Sequence, residues 1–240
     1  MGRMPTPRVL PAADALPPAE SLLPEGFTPA ARRALAKADP TLGALMKQVG
    51  PFRMKTAALH SPFVALAESI VYQQLTGKAA ATIFGRVCER VGTGKRFTPN
   101  AVLAQSVESL REAGLSGAKT AALRDLAAKA LEGEVPTLAR ARRMSDAALV
   151  EHLTKVRGIG QWTVEMLLIF RLGRPDVLPV DDYGIRKGFM RTYGLSELPR
   201  PKELLAYGER WRPWRTVASW YLWRSLELPG DSVASGGGRA

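Results

Sequence analysis

An all-helical fold is what this sequence predicts, and three observations predict it. Apolar residues recur at the three- and four-residue spacing of an amphipathic helix in segment after segment, and Gly and Pro fall mainly between those segments. Alternating strand patterns are few. At 240 residues the chain can bury a sizeable core with no disulfide or metal to staple it.

Taken in order, Ser61 can cap a helix with Pro62 at its first position, and Phe63, Leu66, Ala67, Ile70 and Val71 fall on one face. Gly77 is expected to end or break that helix. A second carries Ile83, Phe84, Val87, Cys88 and Val91 and stops near Gly92 and Gly94. Leu110 leads to Gly114, after which Leu123, Leu126, Ala127, Ala130 and Leu131 form an amphipathic stretch ending at Gly133. Ser145 or Asp146 can cap the next helix, whose Leu149, Val150, Leu153 and Val156 lie on one side before a turn at Gly158-Ile159-Gly160. The segment from Val164 to Leu172 is apolar nearly all round, the pattern of a helix buried among others, and ends at Gly173 with Pro175 beyond. Later helices are expected near Pro201 and Pro213. Residues 1–25, with six prolines, and residues 231–240, with Gly236-Gly237-Gly238, read as a flexible arm and a flexible tail.

Lys and Arg number 34 against 22 acidic residues, a net charge of +12, which predicts attraction to a polyanion without saying which. The single cysteine, Cys88, excludes an intramolecular disulfide and a cysteine-ligated cluster, and its place on an apolar stripe reads as packing. No apolar run reaches the roughly 18 to 20 residues a bilayer crossing needs. The expectation is a soluble, intracellular protein of the cytoplasm, associated with the nucleoid if bacterial, with no membrane partner.

The most informative stretch is Leu153-Thr154-Lys155-Val156-Arg157-Gly158-Ile159-Gly160-Gln161-Trp162-Thr163. Glycines between two helices let backbone approach a phosphate, and the amides opening the second helix supply donors at a positive dipole end. An ordinary helix turn is the plainer alternative. Further on stand Leu178-Pro179-Val180-Asp181-Asp182-Tyr183-Gly184-Ile185-Arg186-Lys187 and Glu209-Arg210-Trp211-Arg212-Pro213-Trp214-Arg215. Together these stretches resemble the helix–hairpin–helix glycosylase superfamily, and the Asp-Asp-Tyr form is similar to its alkylation-repair branch, DNA-3-methyladenine glycosylase II of the AlkA type. The resemblance runs from roughly Ser61 to Trp223.

What the resemblance implies is specific. The fold would be two-lobed: a middle lobe of about 61–175 with the hairpin at 153–164, and a second lobe from 26–60 plus 176–230. The extra β-rich N-terminal domain of the bacterial relatives would be lacking. Asp182 matches the catalytic aspartate, with Asp181 the competing choice, and either could instead cap a helix. Gln74 and Leu75 match a base-flipping wedge; Trp162, Met166, Tyr183 and Trp223 match a base pocket. Gly158, Gly160 and Thr163 would hold DNA phosphate. The carbonyls of Thr154, Val156 and Ile159 match positions that hold a monovalent cation in relatives. Trp162 stands where bifunctional relatives place a lysine nucleophile, which implies a monofunctional hydrolase. Gly184, where a larger apolar residue can stand in relatives, is expected to widen the site. The implied partner is double-stranded DNA with alkylated bases, bound by a monomer with no cofactor and no iron–sulfur cluster.

Overall fold

The computed structural model describes residues 27–57 and 59–229; the arm of residues 1–25 and the tail of 231–240 lie outside the described residues. Among the described residues there are thirteen α-helices and no strand. The chain divides into two compact units, one of Met54–Arg174 and the other of Gly26–Arg53 with the chain from Pro175 onward.

The first unit holds α3 (Pro62–Tyr72), α4 (Gly77–Val91), α5 (Pro99–Leu103), α6 (Val107–Glu112), α7 (Gly117–Leu131), α8 (Leu138–Arg143), α9 (Asp146–Leu153) and α10 (Gln161–Phe170). Hydroxyl side chains open most of them. Ser61, Thr98, Ser106, Ser116, Thr137 and Ser145 each accept an amide of the first turn, which satisfies a donor the helix cannot. Helix α3 is buried along Phe63, Leu66, Ile70 and Val71 and packs against α4, α7 and α10. Leu123 and Leu126 of α7, Leu149 and Leu153 of α9 and Val164 and Ile169 of α10 complete this core. Glu165, also buried, accepts from the Gln161 amide on the same helix at 2.9 Å. Gly77 begins α4 rather than ending α3. The break falls earlier, at Gln73 and Gln74, where the backbone turns left-handed at φ 59.

The second unit holds α1 (Pro29–Ala38), α2 (Pro40–Val49), α11 (Tyr183–Thr192), α12 (Pro201–Gly208) and α13 (Arg215–Ser225). Helix α13 packs on both α2 and α11. Its seam with α11 depends on Gly188, where a β-carbon would stand 2.1 Å from the Leu222 carbonyl oxygen. Asp39 is the polar centre of this unit. It caps α2 through the Leu42 amide at 3.0 Å and accepts the Tyr193 hydroxyl at 2.6 Å and the Trp211 indole N–H at 2.8 Å. Burial pushes its carboxyl up, but the Leu42 amide and the Tyr193 and Trp211 donors outweigh that and hold it below the usual carboxylate range. The rings of Phe189, Tyr193, Tyr207 and Trp211 stack and tilt around it.

Candidate active site

In the first unit, α9 gives way to the hairpin through a succession of tight turns. Val156 donates to Leu153 O and Ile159 to Val156 O, with Val156 and Ile159 buried and Gly158 and Gly160 exposed. Gly158 stands at φ 78, a conformation glycine adopts without the β-carbon penalty. A β-carbon on Gly160 would meet nothing within 4 Å, so what this position provides is open space over the start of α10. No side chain caps α10. Thr163 departs from its expected part: it is buried, and its amide closes on Gly160 O at 2.9 Å. Its place is inside the helix start, while the glycines face outward. Trp162 and Met166, four apart and half-buried, lie on one side of α10. Gln74 and Leu75 form the turn after α3, where Gln74 is exposed and Leu75 is 38% exposed.

In the second unit, the loop before α11 ends on Asp182, the N-cap of that helix. The residue is only 5% exposed. One oxygen, Oδ1, accepts the Ile185 amide at 2.8 Å and the Trp223 indole N–H at 2.9 Å. The negative group thus sits at the positive end of α11, and two donors from different helices fix its orientation. Asp181, the competing choice, is exposed. Tyr183, at 44% exposure, stands beside the carboxylate in sequence, with the Lys187 ammonium 6.0 Å above its ring. Trp223 is 4% exposed, so its ring is enclosed and its N–H is turned to Asp182.

Gly184 does not open the site as expected. A β-carbon there would lie 3.1 Å from Asp182 Oδ1 and from Trp223 Cδ1, so the glycine lets the indole close on the carboxylate. Sequence reading missed this because the three residues meet only after α11 and α13 pack. The signal lay in the sequence nonetheless: a glycine in the first turn of a helix, two residues after a capping aspartate.

Most of the lysines and arginines between Tyr183 and Arg224 have partners within the protein. Arg186 donates to Pro199 O, Arg191 to Leu228 O and Arg210 to Tyr207 O. Arg212 and Arg215 pair with Asp176, and Arg224 with Glu227. Cys88 is half-buried, and burial with the Glu68 charge pushes its thiol up, the opposite of an activated nucleophile. Among the described residues no group of three or more His, Cys, Asp or Glu is placed to hold a metal, and no helix is long and apolar enough to cross a membrane.

A helical chain with a glycine hairpin and an enclosed helix-capping aspartate has the framework of a DNA-repair protein acting on bases. Residues 67–213 match the HhH-GPD superfamily of base excision DNA repair proteins, and the chain belongs to that superfamily. Among curated proteins it is 38% identical to DNA-3-methyladenine glycosylase 1 of Schizosaccharomyces pombe, over 77% of this chain and 81% of that one. Among solved structures it is similar to the 3-methyladenine DNA glycosylase Mag1 of the same yeast in complex with abasic DNA. That likeness has a TM-score of 0.71 at 36% identity, over 83% of this chain and 97% of Mag1. It is also similar to a DNA-3-methyladenine glycosidase from Bacillus halodurans, with a TM-score of 0.74 at 34% identity, over 83% and 89% of the two chains.

Proposed function

We propose that the protein is a monofunctional DNA glycosylase that hydrolyses the N-glycosidic bond of alkylated purines, of the 3-methyladenine and 7-methylguanine class, and leaves an abasic site. The observation that carries this reading is Asp182, an enclosed carboxylate held by the Ile185 amide and the Trp223 indole. The relatives' names and the abasic-DNA complex support the substrate class.

The chemistry needs few groups. A purine alkylated at N3 or N7 already carries positive charge, so it departs with the glycosidic electron pair as a neutral base and no general acid is essential. The sugar left behind has oxocarbenium character. Asp182 stabilises that charge and accepts the proton of the water that adds at C1′. Trp162, with Met166 one turn along α10, supplies an aromatic face that favours a cationic base, by roughly 0.5 to 2 kcal/mol, while in the second unit Tyr183 stands exposed next to Asp182 and Trp223 orients its carboxylate. Tryptophan cannot form a Schiff base, so Trp162 in the lysine position leaves no route to strand cleavage. Gly158 and Gly160 grip phosphate through backbone amides, and Leu75 with Gln74 fills the gap left by the flipped base.

The carbonyls of Thr154, Val156 and Ile159 are the proposed ligands of a monovalent cation at the hairpin. All three are neutral oxygens, and although Val156 O accepts the Ile159 amide, a carbonyl keeps a second lone pair. Such an ion would add charge for a DNA phosphate.

The test is release of bases from alkylated duplex DNA by wild type, Asp182→Asn and Asp181→Asn. Release by wild type and Asp181→Asn but not by Asp182→Asn is expected. DNA binding with no release by wild type would make the protein a binding module. A borohydride-trappable Schiff base or strand nicking without alkali would overturn the monofunctional reading.

A further inference from the structure

Two elements that the proposed reaction uses lie in the first unit, and one side chain joins them. After Tyr72 the chain leaves α3 through Gln73, Gln74 takes a left-handed φ of 59, and Leu75 returns its amide to Tyr72 O at 3.3 Å. A non-glycine residue persists in that conformation only where its surroundings hold it. Gln73 Nε2 donates to Gly158 O at 2.9 Å, across 85 residues of sequence. Lys119 Nζ donates to Val71 O at 2.7 Å, tying the end of α3 to the first turn of α7. Asp125, two turns along α7, accepts the Arg157 amide at 2.7 Å, immediately before Gly158. The turn carrying exposed Leu75 and the hairpin carrying Gly158 are therefore bonded to each other, and both are anchored on α7.

We propose that Gln73 is a positioning residue that locks the Leu75 turn to the hairpin, so that gripping the DNA backbone sets where the leucine enters the base stack. It acts through Leu75 and not by touching DNA. The inference rests on the wedge and hairpin roles proposed above. Without the bond the hairpin still binds, but the turn samples positions in which Leu75 misses the stack, and extrusion of the base becomes less favourable.

The experiment is single-turnover release of an alkylated base from duplex DNA by wild type, Gln73→Met, Gln73→Glu, Leu75→Ala and the double variant Gln73→Met with Leu75→Ala. Amide hydrogen exchange over residues 74–76 is measured alongside, without DNA. Gln73→Met keeps the length of the side chain and removes the donor; Gln73→Glu keeps its shape and sets a carboxylate against the carbonyl. Both are expected to slow release by roughly 3- to 10-fold, the range for one lost hydrogen bond. Affinity for undamaged duplex should be unchanged in Gln73→Met, and exchange at 74–76 faster in both variants. In the Leu75→Ala background the Gln73→Met change should have no further effect. Full additivity of the two substitutions, or exchange at the wild-type rate in both Gln73 variants, overturns the inference. Absence of release by wild type would instead sink the glycosylase reading, and the exchange rates would then decide the tie between turn and hairpin alone.

Discussion

Asp182 Oδ1 accepts a donor three residues ahead on its own helix and another 41 residues ahead on α13, so this carboxylate is fixed by local and by tertiary structure at once. The two contributions are separable. Trp223→Phe keeps most of the aromatic bulk and removes the donor; hydrogen bonds to charged acceptors contribute about 1.5–3 kcal/mol. Single-turnover base release should therefore fall by roughly one to two orders of magnitude, with affinity for undamaged DNA unchanged. A rate equal to wild type would mean the indole does not orient the carboxylate. Gly184→Ala attacks the same pair sterically, since its added carbon would sit 3.1 Å from both partners. The indole must give way, and release should slow in the same direction while the hairpin's grip on duplex DNA persists. Asp181, exposed beside it, has no comparable constraint, and its removal is expected to leave the rate within about twofold of wild type, as for most surface substitutions.

Helices α2, α11 and α12 with its following turn are tied together by Asp39, which accounts for why α11 presents Asp182 in a stable frame. Each donor to Asp39 would be left buried without it, so Asp39→Ala should destabilise the fold by about 2–4 kcal/mol, read as a drop in Tm. The pH dependence has a definite sign. The Asp39 carboxyl lies below its usual range in the folded protein, so its stabilisation is complete above about pH 4 and is lost as pH falls further. Burial, then the Asp39 charge, raise the Tyr193 phenol far above its ordinary value, so its stabilisation is present below about pH 10 and declines as pH rises beyond it. Thermal melts of wild type should lose Tm at both extremes, and the acid loss should shrink in Asp39→Asn.

Most of the helices were legible because their signals are local. Ser61-Pro62 and Ser145 cap where the hydroxyl rule places a helix start, and α12 begins at Pro201. The same pairing of a capping residue with proline stands at Thr28-Pro29, Asp39-Pro40 and Thr98-Pro99, and it marks three helices that apolar periodicity alone does not reveal. Gly77 misled because glycine more often follows a helix than opens one. The role of Asp39 was not legible at all, since Tyr193 and Trp211 lie 154 and 172 residues away. Asp182 was legible only through its motif; that it is enclosed, and that Trp223 turns its N–H toward it, are consequences of packing between α11 and α13.

For the whole molecule, the net charge of +12 favours a polyanion, and of the six arginines between Arg186 and Arg224 with partners inside the second unit, Arg191, Arg210 and Arg212 remain exposed. Affinity for duplex DNA should weaken with salt, with a log–log slope of roughly −0.9 per phosphate contact. Arg215→Gln should leave that slope unchanged and lower Tm instead. Arg215 is largely buried against Asp176, and breaking the pair should cost about 1–3 kcal/mol, less than for a fully enclosed one.

If Asp182 carries base excision, the most direct test is the rate at which alkylated bases leave duplex DNA with wild type and with Asp182→Asn under single-turnover conditions. Wild type should release bases and the variant should lose roughly 100-fold or more in rate, the scale on which removal of one transition-state electrostatic group acts, with DNA affinity retained. Equal rates for the two proteins would contradict it.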